Sequence, residues 1–186
     1  MEVKKISING NDLSRVNELN YLGITIISGS SFKINTQKMT QKYYRALNAI
    51  FGKVGGKTSP LVLCSLVQSF CVPLLLYGAE SVLMSQKNLS SLEYAYNMSF
   101  MKIFKTYDKV VVSNCQLAMG YLPLKMLIDL RKLNFLCKVF ERRVDHVIIL
   151  VHNEEEFASI GEKYALKGSG NWKLQIMEFF KSTVNV

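Results

Sequence analysis

Thr36-Gln37-Lys38-Met39-Thr40-Gln41-Lys42-Tyr43-Tyr44-Arg45-Ala46-Leu47-Asn48-Ala49-Ile50-Phe51-Gly52-Lys53 repeats its apolar residues at helical spacing. At 100° per residue, Met39, Tyr43, Ala46, Leu47, Ile50 and Phe51 fall within an arc of about 140°. Lys38, Lys42, Arg45 and Lys53 occupy a separate arc of about 80°. The stretch is an amphipathic helix whose outer face includes a basic stripe. Gly52, Gly55 and Gly56 break it, and Lys57 carries the charge into the following loop.

Downstream of this helix the pattern stays helical. Ser59-Pro60 opens a second helix, with Ser as N-cap and Pro in the first turn. Between Leu61 and Val72 only Ser65, Gln68 and Ser69 are polar, so this helix is expected to be central and buried on most sides. Pro73 is expected to kink or end it, and Gly78 to close the segment Leu74–Tyr77. A third helix is read from Lys87 to Lys105 on the face Leu89, Leu92, Tyr96, Phe100, Ile103 and Phe104. A short element runs from Ser113 to Gly120. Pro123 then precedes a long helix, Leu124–Arg143. Its two apolar stripes (Met126, Leu130, Leu133, Cys137, Phe140 and Ile128, Phe135, Val139) predict a position between neighbours on both sides. Glu154–Leu166 and Trp172–Lys181 are two further helical pieces, separated by Lys167-Gly168-Ser169-Gly170.

Upstream the pattern is that of strands. Val3, Ile6 and Ile8 are followed by Asn9-Gly10-Asn11-Asp12, which is turn chemistry. Val16, Leu19 and Tyr21-Leu22-Gly23-Ile24-Thr25-Ile26-Ile27 are rich in aromatic and β-branched residues. One hairpin across the Asn-Gly turn is expected, with Gly23 a bulge or close backbone approach inside its second strand, and no further strand. The expected fold is mainly α. It places a β-hairpin at residues 1–28, a helical bundle of about five to six helices at 29–150 and a weakly structured helical tail at 151–186.

Composition bounds the function. With 186 residues, 49% apolar and 20% charged, the chain is neither a disordered tail nor a collagen-like fibre. The net charge of +9 points to an anionic partner, nucleic acid or an acidic membrane surface. Residues 1–58 hold 9 basic against 3 acidic residues, residues 59–150 hold 10 against 6, and residues 151–186 hold 4 against 5. The electropositive surface is therefore mainly N-terminal.

Cys64, Cys71, Cys115 and Cys137 sit in apolar runs without a Cys-x-x-Cys pair, and His146 and His152 are the two histidines. This pattern predicts reduced, buried thiols of an intracellular protein, nuclear or cytoplasmic, with neither a zinc site nor a disulfide framework. Met1-Glu2-Val3-Lys4-Lys5 is too polar for a signal peptide. Cys71–Tyr77 and Val147–Val151 are too short to span a bilayer, so no membrane partner is expected.

Metal-dependent phosphoryl transfer needs converging carboxylates. The aspartates stand alone at 12, 108, 129 and 145, and Glu154-Glu155-Glu156 reads as a solvated face. The basic, glycine-rich loop Gly52–Lys57 joins two helices rather than following a strand, unlike a nucleotide-binding loop. No catalytic residue, metal or cofactor is expected.

Several blocks, in this order, resemble the C-terminal part of the reverse transcriptase of non-LTR (LINE-type) retrotransposons. They are Tyr21-Leu22-Gly23-Ile24, Arg45-Ala46 through Phe51-Gly52-Lys53, and Leu76-Tyr77-Gly78-Ala79-Glu80. Leu122-Pro123-Leu124 with Asp129-Leu130-Arg131-Lys132-Leu133-Asn134-Phe135-Leu136 adds to them, and the resemblance runs from about residue 3 to about residue 142. It implies a primer-grip-like turn at Tyr21, Leu22 and Gly23, then a thumb that tracks the template–primer duplex, and a helical connector. The helical wheel adds Lys38, Lys42, Arg45, Lys53 and Lys57 as candidate phosphate contacts. The family's Ala-Asp-Asp catalytic loop lies upstream of the matched region and has no equivalent here. Val82 stands where the family pattern has a tryptophan, and no Cys/His knuckle follows.

The expectation is a non-catalytic fragment that binds an RNA/DNA duplex or hybrid through phosphates, independently of sequence and sensitively to salt. Two alternatives stand beside it. One is a helical protein-interaction module whose apolar faces meet a palm domain or another protein partner. The other is a decayed retroelement remnant with no activity. Lysines on an outer helix face are also what an ordinary solvated helix carries, and Tyr43, on the apolar arc, reads as packing.

Overall fold

The computed structural model describes residues 7–29, 33–54, 58–82, 84–141, 147–168 and 171–184, with the backbone alone at 141 and 147–154. Val3, Ile6, Gly55, Gly56 and His146 lie outside the described residues. The chain is mainly α with a small N-terminal β region, and it divides into two compact units, Met1–Asn35 and Thr36–Val186.

In the first unit, strands β1 (Ser7–Ile8) and β2 (Asn11–Asp12) pair antiparallel around Asn9-Gly10. Both turn residues have positive φ, 51° and 80°, the geometry that the Asn-Gly pair predicts. A second sheet holds β3 (Glu18–Tyr21), β4 (Ile24–Ile27) and β5 (Lys33–Ile34) in the order β3-β4-β5, antiparallel throughout.

The single hairpin read from the sequence is thus replaced by two separate sheets. Gly23 is not a bulge inside a strand. Tyr21 pairs with Ile24, so Leu22-Gly23 is a two-residue reversal with φ of 46° and 81°. The apolar run Tyr-Leu-Gly-Ile hid the turn, because leucine seldom adopts the left-handed region. The strands are also only two to four residues long, too short for a period of two to stand out.

Register and alternation place Leu19, Tyr21, Ile24, Ile26 and Ile34 on one face of the second sheet. On the other face Thr25 Oγ1 donates to Asn20 Oδ1 at 2.6 Å, and Asn35 Nδ2 donates to Glu18 Oε1 at 2.9 Å.

The second unit begins with α1 (Thr36–Val54). Helix α2 (Pro60–Leu66) passes through a π turn, Val67–Cys71, into α3 (Val72–Leu76). Pro73 has no N–H, and its ring would crowd the carbonyl four residues back. The wide turn, in which Val72 N–H reaches back five residues to the Val67 carbonyl, accommodates it, so of the two expectations, a kink or an end, Pro73 does not end the helix. Gly78, at φ 70°, ends it and leads into a 3₁₀ turn at Ala79–Ser81.

Helix α4 (Gln86–Phe104) starts where Ser85 Oγ accepts the Asn88 N–H. Helix α5 (Lys109–Ala118) starts where Asp108 Oδ1 accepts the Val110 N–H at 2.8 Å. Both are N-caps of the expected chemistry. Helices α6 (Leu124–Glu141), α7 (Val147–Lys163) and α8 (Trp172–Val184) complete the chain.

Two apolar cores result. In the first, Tyr43 and Leu47 of α1 meet Cys64, Val67, Leu75, Leu92, Tyr96 and Phe100. In the second, Leu122 and Leu133 meet Ile160, Tyr164, Ile176 and Phe180. Helix α6 gives Leu124 and Ile128 to the first and Leu133 to the second, an intermediate position as expected, but Phe135 of the second stripe is exposed and the buried Leu124 and Leu136 lie on neither stripe.

Polar groups in and at the edges of the cores tie these layers. Gln68 Nε2, in the π turn, donates to Tyr96 Oη at 2.7 Å, and Tyr96 Oη donates to the Leu122 carbonyl at 3.2 Å. Burial raises the pKa of the Tyr96 hydroxyl above its ordinary value. At the second core, Lys163 Nζ and Tyr164 Oη both donate to Asp129 Oδ2 at 2.6 Å.

The apolar run is less enclosed than its composition suggests. Only 39% of its most apolar window is buried, and Leu61, Phe70 and Tyr77 are exposed. Because Pro73 is absorbed, the helical run Pro60–Ser81 is, by length and composition alone, long and apolar enough to cross a membrane.

Candidate nucleic-acid interface

Helix α1 supplies the candidate surface. Tyr43 is fully buried and Leu47 nearly so, which fixes the rotation of the helix and turns Lys42, Arg45 and Lys53 to solvent, with Lys38 half-buried at the edge. Lys57 lies outside the described residues. The helix contains no acidic residue. Lys38 and Lys42 take part in interactions within the chain. Among the described residues, no hydrogen bond or ion pair engages Arg45 or Lys53.

The anchoring tyrosine is firmly in the core. Burial, chiefly, raises the pKa of the Tyr43 hydroxyl, which lies near Ser99 and Cys71. Ser99 Oγ donates to the Tyr96 carbonyl at 2.6 Å, which leaves its lone pairs facing the Tyr43 hydroxyl as acceptors.

A fifth cation joins this surface from another helix. Lys102 Nζ of α4 lies 3.3 Å from Asn48 Oδ1 and 4.3 Å above the centre of the Phe51 ring. Asn48 and Phe51 sit three residues after Arg45 and Asn48 respectively, so the ammonium rests beside the basic stripe. Sequence reading missed Lys102 because a wheel drawn for one helix cannot show which neighbour crosses it.

The structure gathers Tyr21, Leu22 and Gly23 at one hairpin tip in the N-terminal unit. Tyr21 and Leu22 are 61% and 73% exposed. A left-handed leucine costs on the order of 1 kcal/mol, so this apolar side chain is displayed at some expense to the turn.

Two other blocks of the resemblance meet within the helical unit, where they do structural work. Arg131 of α6 donates to the Leu76 carbonyl at 3.2 Å and stands 3.9 Å from Glu80 Oε2. Ala79 and Val82 are buried. The Leu76–Glu80 block thus docks the end of α3 on α6.

For chemistry, the described residues offer little. Among them no group of three or more His, Cys, Asp or Glu is placed to hold a metal ion. The buried thiols of Cys64 and Cys71 have pKa values pushed up to about 11 by burial, which makes them poor nucleophiles at neutral pH. No family model matches the chain, and the comparisons with curated proteins and solved structures found no match.

Proposed function

We propose that the chain binds the sugar–phosphate backbone of a nucleic-acid duplex or RNA–DNA hybrid along α1 and catalyses no reaction on it. The observation that supports this reading is the exposed, carboxylate-free cationic face of α1, joined by Lys102 from α4. Ammonium and guanidinium groups on a rigid helix contact phosphate oxygens without reading bases. The reading agrees with the resemblance of the blocks around α1 to the post-palm thumb of LINE-type reverse transcriptases.

The test is fluorescence anisotropy with a labelled RNA–DNA hybrid. For about four phosphate contacts, affinity should fall roughly a hundredfold between 50 and 200 mM salt. Replacing Lys38, Lys42 and Arg45 together by Glu should abolish binding while leaving the circular dichroism spectrum unchanged. A flat salt response, or full binding by the triple variant, defeats the reading.

A second reading, a protein-interaction module, draws on the N-terminal unit, where Leu13, Val16, Leu19, Tyr21 and Leu22 are exposed. It predicts concentration-dependent self-association or partner capture that these residues control. A clean monomer in light scattering with no captured partner counts against it.

A further inference from the structure

Beyond the end of α4, Met98, Met101, Lys102, Lys105 and Tyr107 line a cleft of about 410 Å³. That volume lies within the roughly 300–1,000 Å³ typical of small-ligand sites. Among the described residues that line it there is no carboxylate.

Its two cations are differently held. Lys102 is steadied by Asn48 and the Phe51 ring. Lys105 caps α4 at φ 53°, is exposed, and has no hydrogen-bond or ion-pair partner among the described residues. The segment after it is fixed by its own bonds. Thr106 N–H donates to the Met101 carbonyl at 3.1 Å, and Thr106 Oγ1 accepts the Asp108 N–H at 3.2 Å. This anchored loop leaves Tyr107 86% exposed.

A lysine at a helix C-terminus has an ordinary explanation, since it offsets the partial negative charge of the last carbonyls. That explanation does not cover the rest of the cleft. A thioether floor from Met98 and Met101 is polarizable and adapts to flat rings. An exposed tyrosine on an anchored loop is a stacking platform, and aromatic platforms beside cations are how proteins hold unpaired bases without reading them.

We propose that this cleft takes one unpaired nucleotide of a nucleic-acid strand, its phosphate between Lys102 and Lys105 and its base on the Tyr107 ring. The proposal rests on the reading of α1 as a phosphate-contacting face, because Lys102 links the cleft to that face. It adds that the preferred nucleic acid is a duplex with a single-stranded extension.

The experiment measures the affinity of the full chain for a blunt hybrid, the same hybrid with a short unpaired extension, the extension made abasic, and the single strand alone. The extension should tighten binding about tenfold, and the abasic extension should recover only part of that gain. Tyr107→Ala should remove the gain, and so should Lys105→Gly, which also relieves the left-handed backbone. Blunt-hybrid affinity, which comes from α1, should change less than twofold in either variant.

Equal affinity for blunt and extended hybrids overturns the cleft and leaves the α1 reading standing, as does a gain that survives Tyr107→Ala. Tyr107-dependent binding of the single strand with no binding of the blunt hybrid keeps the cleft and overturns the α1 reading. Displacement of the extended hybrid by micromolar free nucleoside monophosphate assigns the cleft to free nucleotides and overturns the strand proposal. No binding of any probe overturns both.

Discussion

The two units of this chain solve the same problem with opposite success. Thr36–Val186 buries aromatic and aliphatic residues in two cores that share α6. Met1–Asn35 has short strands, and most of its described residues are exposed. Small sheets of this kind bury too little apolar surface to be stable alone. Helices can close a core locally by periodic faces, whereas a sheet of two- to four-residue strands needs a surface to lie on. The difference locates stability in the helical unit and leaves the β unit with exposed side chains available for contacts.

The comparison can be broken by substitutions placed in each unit. Phe100→Ala should cost the helical unit about 3–5 kcal/mol, because the ring is buried against Tyr96 at 5.1 Å. Leu19→Ala in the β unit should change stability by less than about 0.5 kcal/mol. Urea melts of both variants decide the matter, and equal losses would mean that the sheet carries a core of its own.

Tyr96→Phe should be the next largest effect, about 1–3 kcal/mol. It leaves the buried Leu122 carbonyl without this donor and the half-buried Gln68 Nε2 without this acceptor. A loss under about 0.5 kcal/mol in the same melts would show that the bonds from the π turn to α4 and on to Leu122 are dispensable.

Leu22→Asn should act in the opposite direction, stabilising the β3–β4 reversal by up to about 1 kcal/mol, because asparagine tolerates positive φ. Unchanged hydrogen exchange at the strand amides would show that the turn is not strained. If the exposed leucine serves a partner, the same variant weakens that contact while it steadies the hairpin.

The last effect is chemical and is nil at neutral pH. Cys64 and Cys71 keep their protons in the folded state up to about pH 11, against 9.0 when exposed. The folded state therefore holds protons that the unfolded chain loses. Their stabilising contribution is intact below pH 9 and declines as pH rises from 9 to 11. In native protein at pH 8 both thiols should resist Ellman's reagent and react on unfolding. Rapid native labelling of either would show that the first core opens easily.

The long helices were legible because periodicity over four or five turns outweighs any one residue. Thr36 begins α1 as read, and Leu124 begins α6. What escaped depends on a local exception or on neighbours. Leu22 in a left-handed turn contradicts its own propensity, so the reversal was invisible. Pro73 normally stops a helix, and only the widened turn before it lets the helix go on.

The candidate site divides in the same way. The stripe on α1 is a property of one helix and could be drawn on a wheel. Lys102 and Lys105 are three residues apart at the end of α4, but Lys102 meets α1 only through the crossing of the two helices, and Tyr107 is placed by a loop bonded to itself. A lysine three residues from another, followed by an exposed tyrosine, was a faint signal that no single periodicity could raise.

The widened turn at Val67–Cys71 carries a consequence for the chain's descent. It holds one residue more than a regular turn, so everything after it is rotated by about 100° relative to an uninterrupted helix. A descendant lacking that one residue would remain helical with Leu75 and Leu76 still turned to the core, but Pro73 would meet an unrelieved carbonyl. A related chain that has lost the extra residue within these five positions is therefore expected to have lost the proline as well.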